Sequence, residues 1–418
     1  MNVTVEDSEK EEHGNSESEL RSLYARSVIN SFSSGMINPF TGAYAVRLGA
    51  SSSDMGWFQS STNLSNNLMQ VFWGRLSDST KRRIPFIVLG TTILSLLWIP
   101  MIFVANSTQL ILLLVVQSLV GSMATPAWTA LIGDLVPSIK LGRANASMNL
   151  WSAVGSVAAT MGSGLIMFAV GGSIHQIVLI PLVVAAASGI VSSVVIVKIS
   201  EKETGEKLRL RKNLMLDMIK IVSQVKNSKT FFRYCYVDGV VQFFMSISWP
   251  LFSITQINIL NASMLQLALL SVGQTVVQIV FQSWAGRLAD SIGRKPLLIF
   301  FRFGLLSVPL AYAFAPSINS LIIIGLFWGV INALGSASQT AYLLDASPDE
   351  SRGSFIAVYN LIVGIITFVG SLVGGYLAAF TTGLFGLIVG LQVVYLISVA
   401  GRGIGAALHF RIEETLRK

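Results

Sequence analysis

From Ile84 to Ala105 the chain runs without one charged side chain, and a stretch of that kind leaves little choice of fold. Roughly 20 mostly apolar residues cross the hydrocarbon of a bilayer as a helix, because in lipid every backbone N–H and C=O must find its partner within the segment. Comparable stretches recur throughout the 418 residues. They predict twelve spans, at about 22–48, 54–76, 84–105, 108–136, 143–170, 174–199, 230–258, 263–289, 296–315, 318–346, 352–380 and 383–408. With 52% hydrophobic and only 12% charged residues, the expected fold class is an all-α integral membrane protein.

The basic residues fix an orientation. Of the 29 Lys and Arg, Arg47 alone falls in a loop on one side of the predicted bilayer. On the other side they collect in STKRR, at Lys140 and Arg143, in the segment 201–229, in IGRK and in the C-terminal RIEETLRK. The positive-inside rule makes that side the cytosol, so both termini are expected there, with the chain in the plasma membrane. This distribution also accounts for the net charge of +8, and nucleic acid is not an expected partner. Residues 1–20 are acidic and polar, unlike a cleaved signal, and predict a disordered cytosolic tail.

Two phrases echo each other: WGRLSDSTKRR, from Trp73, and AGRLADSIGRK, from Ala285. Gly74 and Gly286 differ by 212, as do Asp78 and Asp290, and Arg82 and Arg294. Asp134 and Asp345 differ by 211, as do Pro137 and Pro348, and Pro39 and Pro250. The chain therefore reads as one unit written twice: a six-helix bundle over 21–199, a charged linker over 200–229, a second bundle over 230–410 and a short cytosolic tail over 411–418. Six being even, both bundles enter from the same side, which makes the repeat parallel.

Gly286, Leu288, Asp290, Gly293, Arg294 and Lys295 resemble the Gly-x-Leu-x-Asp-x-x-Gly-Arg-Lys/Arg loop signature of the major facilitator superfamily of secondary transporters. The first copy, with Gly74, Leu76, Asp78, Arg82 and Arg83, departs at Lys81, where the family has glycine. A second family-like phrase, an acid and a proline followed by Arg and Gly, fits Asp345, Pro348, Arg352 and Gly353, and more loosely Asp134, Pro137, Gly142 and Arg143. The resemblance covers about residues 20–410. It implies the fold of that superfamily, two six-helix bundles related by an axis along the membrane normal, and transport by alternating access.

Glycine in such a loop permits close helix packing, and an aspartate at the membrane boundary costs less than one at the midplane. The resemblance implies a breakable cytosolic latch formed by Gly74, Asp78, Arg82, Asp134 and Arg143 in one half and Gly286, Asp290, Arg294, Asp345 and Arg352 in the other. The plainer alternative is that these charges only set topology, although topology requires no repeated Gly and Asp in register.

Helical spacing puts Asp238, Gln242, Ser246, Trp249 and Ser253 on one face of the seventh span. The first span offers Asn30, Ser34, Asn38 and Thr41, the fourth Gln117, Gly121, Thr125 and Trp128, and the tenth Trp328, Asn332, Ser336 and Gln339. In the superfamily these four helices line the central cavity. The resemblance thus implies a solute site at Asn30, Ser34, Asn38, Gln117, Trp128, Gln242, Ser246, Trp249, Trp328, Asn332 and Gln339. Amides, hydroxyls and indoles suit a neutral, sugar-like solute. The same side chains also hold membrane helices together, and both readings stand.

No Asp, Glu, Lys or Arg falls in the middle of an N-terminal span, which argues against a strongly charged solute. Asp238 is the one acid inside a span away from the loop motifs. It is either a proton carrier or an ion-pair partner of Arg233 or Arg302. One cysteine, Cys235, and three scattered histidines predict neither a disulfide nor a metal site, and no phosphate-binding Gly-Lys-Ser/Thr loop occurs. Expected, then, is a functional monomer in the bilayer, not an enzyme. It would carry a small organic solute without a cofactor beyond a coupling H+ or Na+. Export of drug-like amphiphiles is the alternative, followed by a non-transporting sensor on the same fold.

Overall fold

The computed structural model describes residues 20–416 apart from 81, 137, 198, 200–224, 226–227 and 349–351. The expected linker and N-terminal tail thus lie almost wholly outside the described residues. Those described are helical, without a strand. In chain order the long helices are α1 (20–47), α2 (Ser52–Thr80), α3 (Ile84–Phe103), α4 (Ser107–Leu135), α5 (Ser138–Val170) and α6 (Ile174–Val197). The second set is α7 (Lys229–Ile259), α8 (Met264–Ile292), α9 (Arg294–Phe314), α10 (Ile318–Ala346), α11 (Arg352–Phe385) and α12 (Leu387–Arg411).

By length and hydropathy, ten of these can cross a membrane on their own, while α1 and α2 fall short. The reason is polarity that faces protein rather than lipid. On α2, the Ser60 hydroxyl donates to the Phe368 carbonyl of α11 at 2.8 Å, and Asn67 packs where a Cβ on Gly364 would lie.

The repeat shows in the kinks. α1 interrupts its α-helical course after residue 35 and resumes through a tight turn at Asn38–Phe40 containing Pro39. α7 does the same at Trp249–Leu251, around Pro250. Proline has no N–H to give to the preceding turn, so a proline at matched positions bends the paired helices alike.

Both bundles join on the side away from the termini. One apolar core there draws Phe40, Tyr44 and Met55 from the first half together with Leu251, Met264 and Trp328 from the second. Gly56 of α2 and Gly375 of α11 meet almost backbone to backbone: a Cβ on Gly375 would lie 2.7 Å from the Ser52 carbonyl oxygen and 2.8 Å from Gly56 Cα. Nearer the termini the cores are separate. Leu23, Ile87, Leu131 and Met148 form one within the first half, and Phe231, Leu298, Tyr342 and Phe355 another within the second. This conformation is closed on the far side and open on the side of the termini.

Met55 is 1% exposed beneath the far-side contact. In a Cys235→Ser background, a cysteine placed at Met55 is expected to resist a maleimide in detergent-solubilised protein. Adding Gly375→Val is expected to raise its labelling several-fold. Equal labelling with and without that substitution would sink this account of the closure.

Candidate functional site

A cavity of about 550 Å³ opens among α1 to α5. Asn30, Ser34, Asn38, Gln117 and Trp128, all five cavity residues expected from the first half, line it. Their helices place them there by simple spacing: Asn30, Ser34 and Asn38 rise one turn apart along α1. Ser34 turns back to its own helix, donating to the Asn30 carbonyl at 3.1 Å, and Gln117 donates to the Leu97 carbonyl at 3.0 Å. The side-chain amides of Asn30 and Asn38 make no hydrogen bond among the described residues and border the open space.

The lining is not free of charge, contrary to the expectation from the middle of the spans. Arg26 enters α1 close to its start, and its long side chain carries the guanidinium into the cavity. It donates to the Thr91 hydroxyl at 3.4 Å and lies 4.1 Å from the centre of the Trp128 ring, a cation over an aromatic face. No acidic residue is among the described residues that line the space. Thr91, Trp98 and Arg26 had not been singled out from the sequence, because a charge near a helix start reads as a boundary residue until the packing is known.

The six residues expected from the second half do not line this cavity. Gln242 and Gln339 belong to a buried polar network instead. At its centre Asp238 pairs with Arg302 of α9, the two being 0% and 1% exposed. The other carboxylate oxygen of Asp238 accepts from the Tyr359 hydroxyl at 2.7 Å and from Gln242 at 3.3 Å. Gln339 accepts from Arg302 at 3.4 Å and donates to the Tyr359 oxygen at 2.6 Å. His409, fully buried, donates from Nδ1 to the Gly405 carbonyl at 2.8 Å, so Nε2 is the nitrogen facing Asp238, at 3.9 Å. Five helices thereby share one ion pair, which a low-dielectric interior tolerates only when the surrounding hydrogen bonds are made. Of the two partners considered for Asp238, Arg233 turns away to Glu413 at 3.3 Å.

The remaining four are packing residues in this conformation. Ser246 donates to its own helix and fits against Gly370 of α11. Trp328 donates to the Ser307 hydroxyl at 3.0 Å and stacks on Tyr312. Asn332 donates back to the Trp328 carbonyl at 2.8 Å, and Trp249 sits in the tight turn of α7.

Three ion pairs of the residues expected to form the latch lie within one half or the other. Arg294 reaches Asp290 at 3.0 Å and Asp345 at 3.2 Å, and Arg83, beside Arg82, reaches Asp134 at 3.5 Å. Asp78 lies on α2, but its side chain is outside the described set, as are Lys81 and Pro137. Gly74 admits Pro126, whose Cβ would lie 3.3 Å from an added methyl, while Gly286 and Gly142 face open space. Arg143 lies in the second turn of α5 and Arg352 begins α11, both at the near-side ends of their helices.

Sequence gave no hint of what holds the second motif. The C-terminal segment lies across it: Ile412 is buried, Glu413 pairs with Arg233, and Glu414 accepts the backbone N–H groups of Arg294, Lys295, Thr415 and Leu416 at 2.9–3.0 Å. This caps the start of α9 with a carboxylate, where the helix dipole favours one. Gly293 is required twice over: its φ is +105°, and a Cβ would strike the Glu414 carboxylate. Partial burial pushes the Glu414 carboxyl up, but the four N–H groups together hold it below the ordinary value of 4.5.

The family profile of the Major Facilitator Superfamily matches residues 24–238 and 239–415. The chain belongs to that superfamily, whose members are transporters. It is 24% identical over 360 residues to an uncharacterized MFS-type transporter of Methanocaldococcus jannaschii, covering 84% of this chain and 86% of that protein. A class H tetracycline resistance protein of Pasteurella multocida is 30% identical over 101 residues, 24% of this chain and 25% of that one. Among solved structures, a mutant of the nucleoside transporter NupG superposes with a TM-score of 0.77 at 14% identity, covering 94% of this chain and 99% of that one. A bacterial homolog of the human lysosomal transporter Spinster, in an inward-facing and occupied conformation, gives 0.73 at 14% identity over 94% and 96%.

Two outcomes test these contacts. Asp238→Asn or Arg302→Leu alone strands a buried charge and is expected to cost about 3–5 kcal/mol, whereas the double substitution costs much less than the sum. Strictly additive losses in thermal unfolding would show the pair to be uncoupled. Because the Glu414 carboxyl is depressed in the fold, its contribution is complete above the ordinary carboxylate value and is lost as pH falls through its lower folded value. Wild-type and Glu414→Gln proteins should therefore differ most in stability near neutral pH and converge as pH falls through the lower folded value of the Glu414 carboxyl. A difference that stays constant with pH would contradict the cap.

Proposed function

We propose that the protein is a secondary active carrier that moves a small polar organic solute across the plasma membrane by rocking its two halves. The observation that carries this is the cavity, 550 Å³ of space lined by Asn30, Asn38, Gln117 and Trp128 within a fold already closed on one side only. That volume is in the range of small-molecule sites, and the open amides suit a sugar-like, hydrogen-bonding body. With both termini cytosolic, as the basic loops favour, the conformation is open to the cytosol.

In the opposite state the near ends of the halves would meet. Gly142 and Gly286, bare in this conformation, are where α5 and α8 would approach, and Asp78, Arg82, Arg143, Asp290, Arg294, Asp345 and Arg352 would form the breakable latch. The coupling ion is read as H+, with Asp238 its carrier: a proton on that carboxylate would cancel its charge and loosen its pairing with Arg302. A D-xylose-proton symporter shares the fold, with a TM-score of 0.68 at 14% identity. Export of amphiphilic compounds is a second reading, favoured by the partial likeness to the tetracycline resistance protein.

The test begins with thermal stability of purified protein against sugars, other metabolites and lipophilic drugs, since a ligand at a hundred times its Kd adds about 2.7 kcal/mol. Compounds that stabilise are then followed into proteoliposomes. Asn38→Leu and Gln117→Leu are expected to cut their uptake about tenfold or more at unchanged yield, each losing a hydrogen bond to the guest. Asp238→Asn is expected to abolish uphill accumulation while exchange persists, and Asp290→Asn to slow both. Wild-type uptake in both cavity variants would remove the solute site from this cavity, and stabilisation by lipophilic drugs alone would favour the exporter.

A further inference from the structure

Among the described residues three arginines are buried between the helices, and the protein treats each differently. Arg402, 1% exposed, is complete: Nε donates to Ser398 at 3.1 Å, Nη1 to the Leu305 carbonyl at 2.8 Å, and Nη2 to Ser248 at 2.7 Å and the Met245 carbonyl at 3.3 Å. Arg302 has Asp238. Arg26, 3% exposed, has a single long hydrogen bond to Thr91 and the face of Trp128, and its Nε has no partner among the described residues. A guanidinium offers five N–H donors, and burying its charge without an acid or a full set of acceptors is costly. Of the three, Arg26 is the one that lines the cavity.

The repeat sharpens the contrast. Thr91 and Arg302 stand 211 apart, as do Trp128 and Gln339, and Arg26 and Asp238 stand 212 apart. One station is therefore built twice, on α1, α3 and α4 and again on α7, α9 and α10. In the second half it holds a base together with its own acid. In the first half it holds a base alone, with Thr91 in place of the second partner and an open cavity beside it.

We infer that the missing acid arrives with the cargo: the cavity takes an organic acid whose carboxylate or phosphate pairs with Arg26, while its polar body lies along Asn30, Asn38 and Gln117. This rests on the cavity being the solute site. The guanidinium fork matches either oxyanion in two parallel hydrogen bonds, and the Trp128 face holds it in place beneath. Binding supplies the counter-charge that the helices withhold, so a neutral molecule of the same shape leaves part of the cost of burying Arg26 unrelieved.

Binding to the full-length purified protein is measured for compounds that differ in charge and little else: glucose, glucuronate and glucose 6-phosphate; uridine and uridine 5′-monophosphate; benzyl alcohol and benzoate. At least one acid is expected to bind about tenfold or more tighter than its neutral counterpart, the scale of one charge-assisted contact. Arg26→Gln is expected to abolish that preference, the acid's affinity falling about tenfold or more toward that of its neutral counterpart. Arg26→Lys is expected to keep phosphate binding and to weaken carboxylate binding several-fold, which decides the matter if the glutamine variant does not fold. The inference is overturned if no acid binds the wild-type protein, if acids bind no tighter than neutral compounds, or if the preference survives both substitutions. Asn38→Leu separates the two ideas. If it weakens acidic and neutral compounds alike while Arg26→Gln changes nothing, the cavity remains the solute site and the acid pairing falls. If it affects no bound compound, the cavity reading falls and takes the pairing with it.

Discussion

Within a bilayer no water arrives to satisfy a stranded polar group, and nearly every feature of this protein follows from how that demand is met. Backbone groups are satisfied by helices, which is why nearly all the described residues are helical. Side-chain polarity on α2 is satisfied by α11, so a segment too polar to face lipid stays within the membrane against a partner. Charge is satisfied by an ion pair at Asp238 and Arg302 and by carbonyls and hydroxyls at Arg402. At Arg26, beside an open cavity, no acid among the described residues answers the buried charge.

The two halves share a topology and divide the work. In the second, a buried polar network ties α7, α9, α10, α11 and the end of α12 together. In the first, the equivalent helices turn amides, indoles and one guanidinium toward empty space. Duplication supplied both with the same stations, and substitution at three of them left an acid–base pair in one half and a guanidinium beside a cavity in the other. The C-terminal segment adds to the asymmetry, since Glu414 fastens the second loop motif to the body of its own bundle.

Much of this was legible in the residues. The spans follow from uncharged runs, the matched kinks from Pro39 and Pro250, and the repeat from subtraction of motif positions. Asn30, Ser34, Asn38, Gln117 and Trp128 were found by helical spacing, and the structure puts all five around one cavity. The same spacing picked Gln242, Trp328 and Gln339, but periodicity names a face without saying what covers it. Gln242 and Gln339 were claimed by an ion pair, and Trp328 by Tyr312 and Ser307.

Sequence alone determined that the chain is a duplicated bundle of membrane helices, because hydrophobic length and residue order are one-dimensional properties. Tertiary structure alone decided which buried charges are paired. Asp238 and Arg302 are 64 residues apart, and Arg26 and Trp128 lie on helices of opposite direction. Whether a charge finds a partner depends on distances in space that no spacing along the chain encodes.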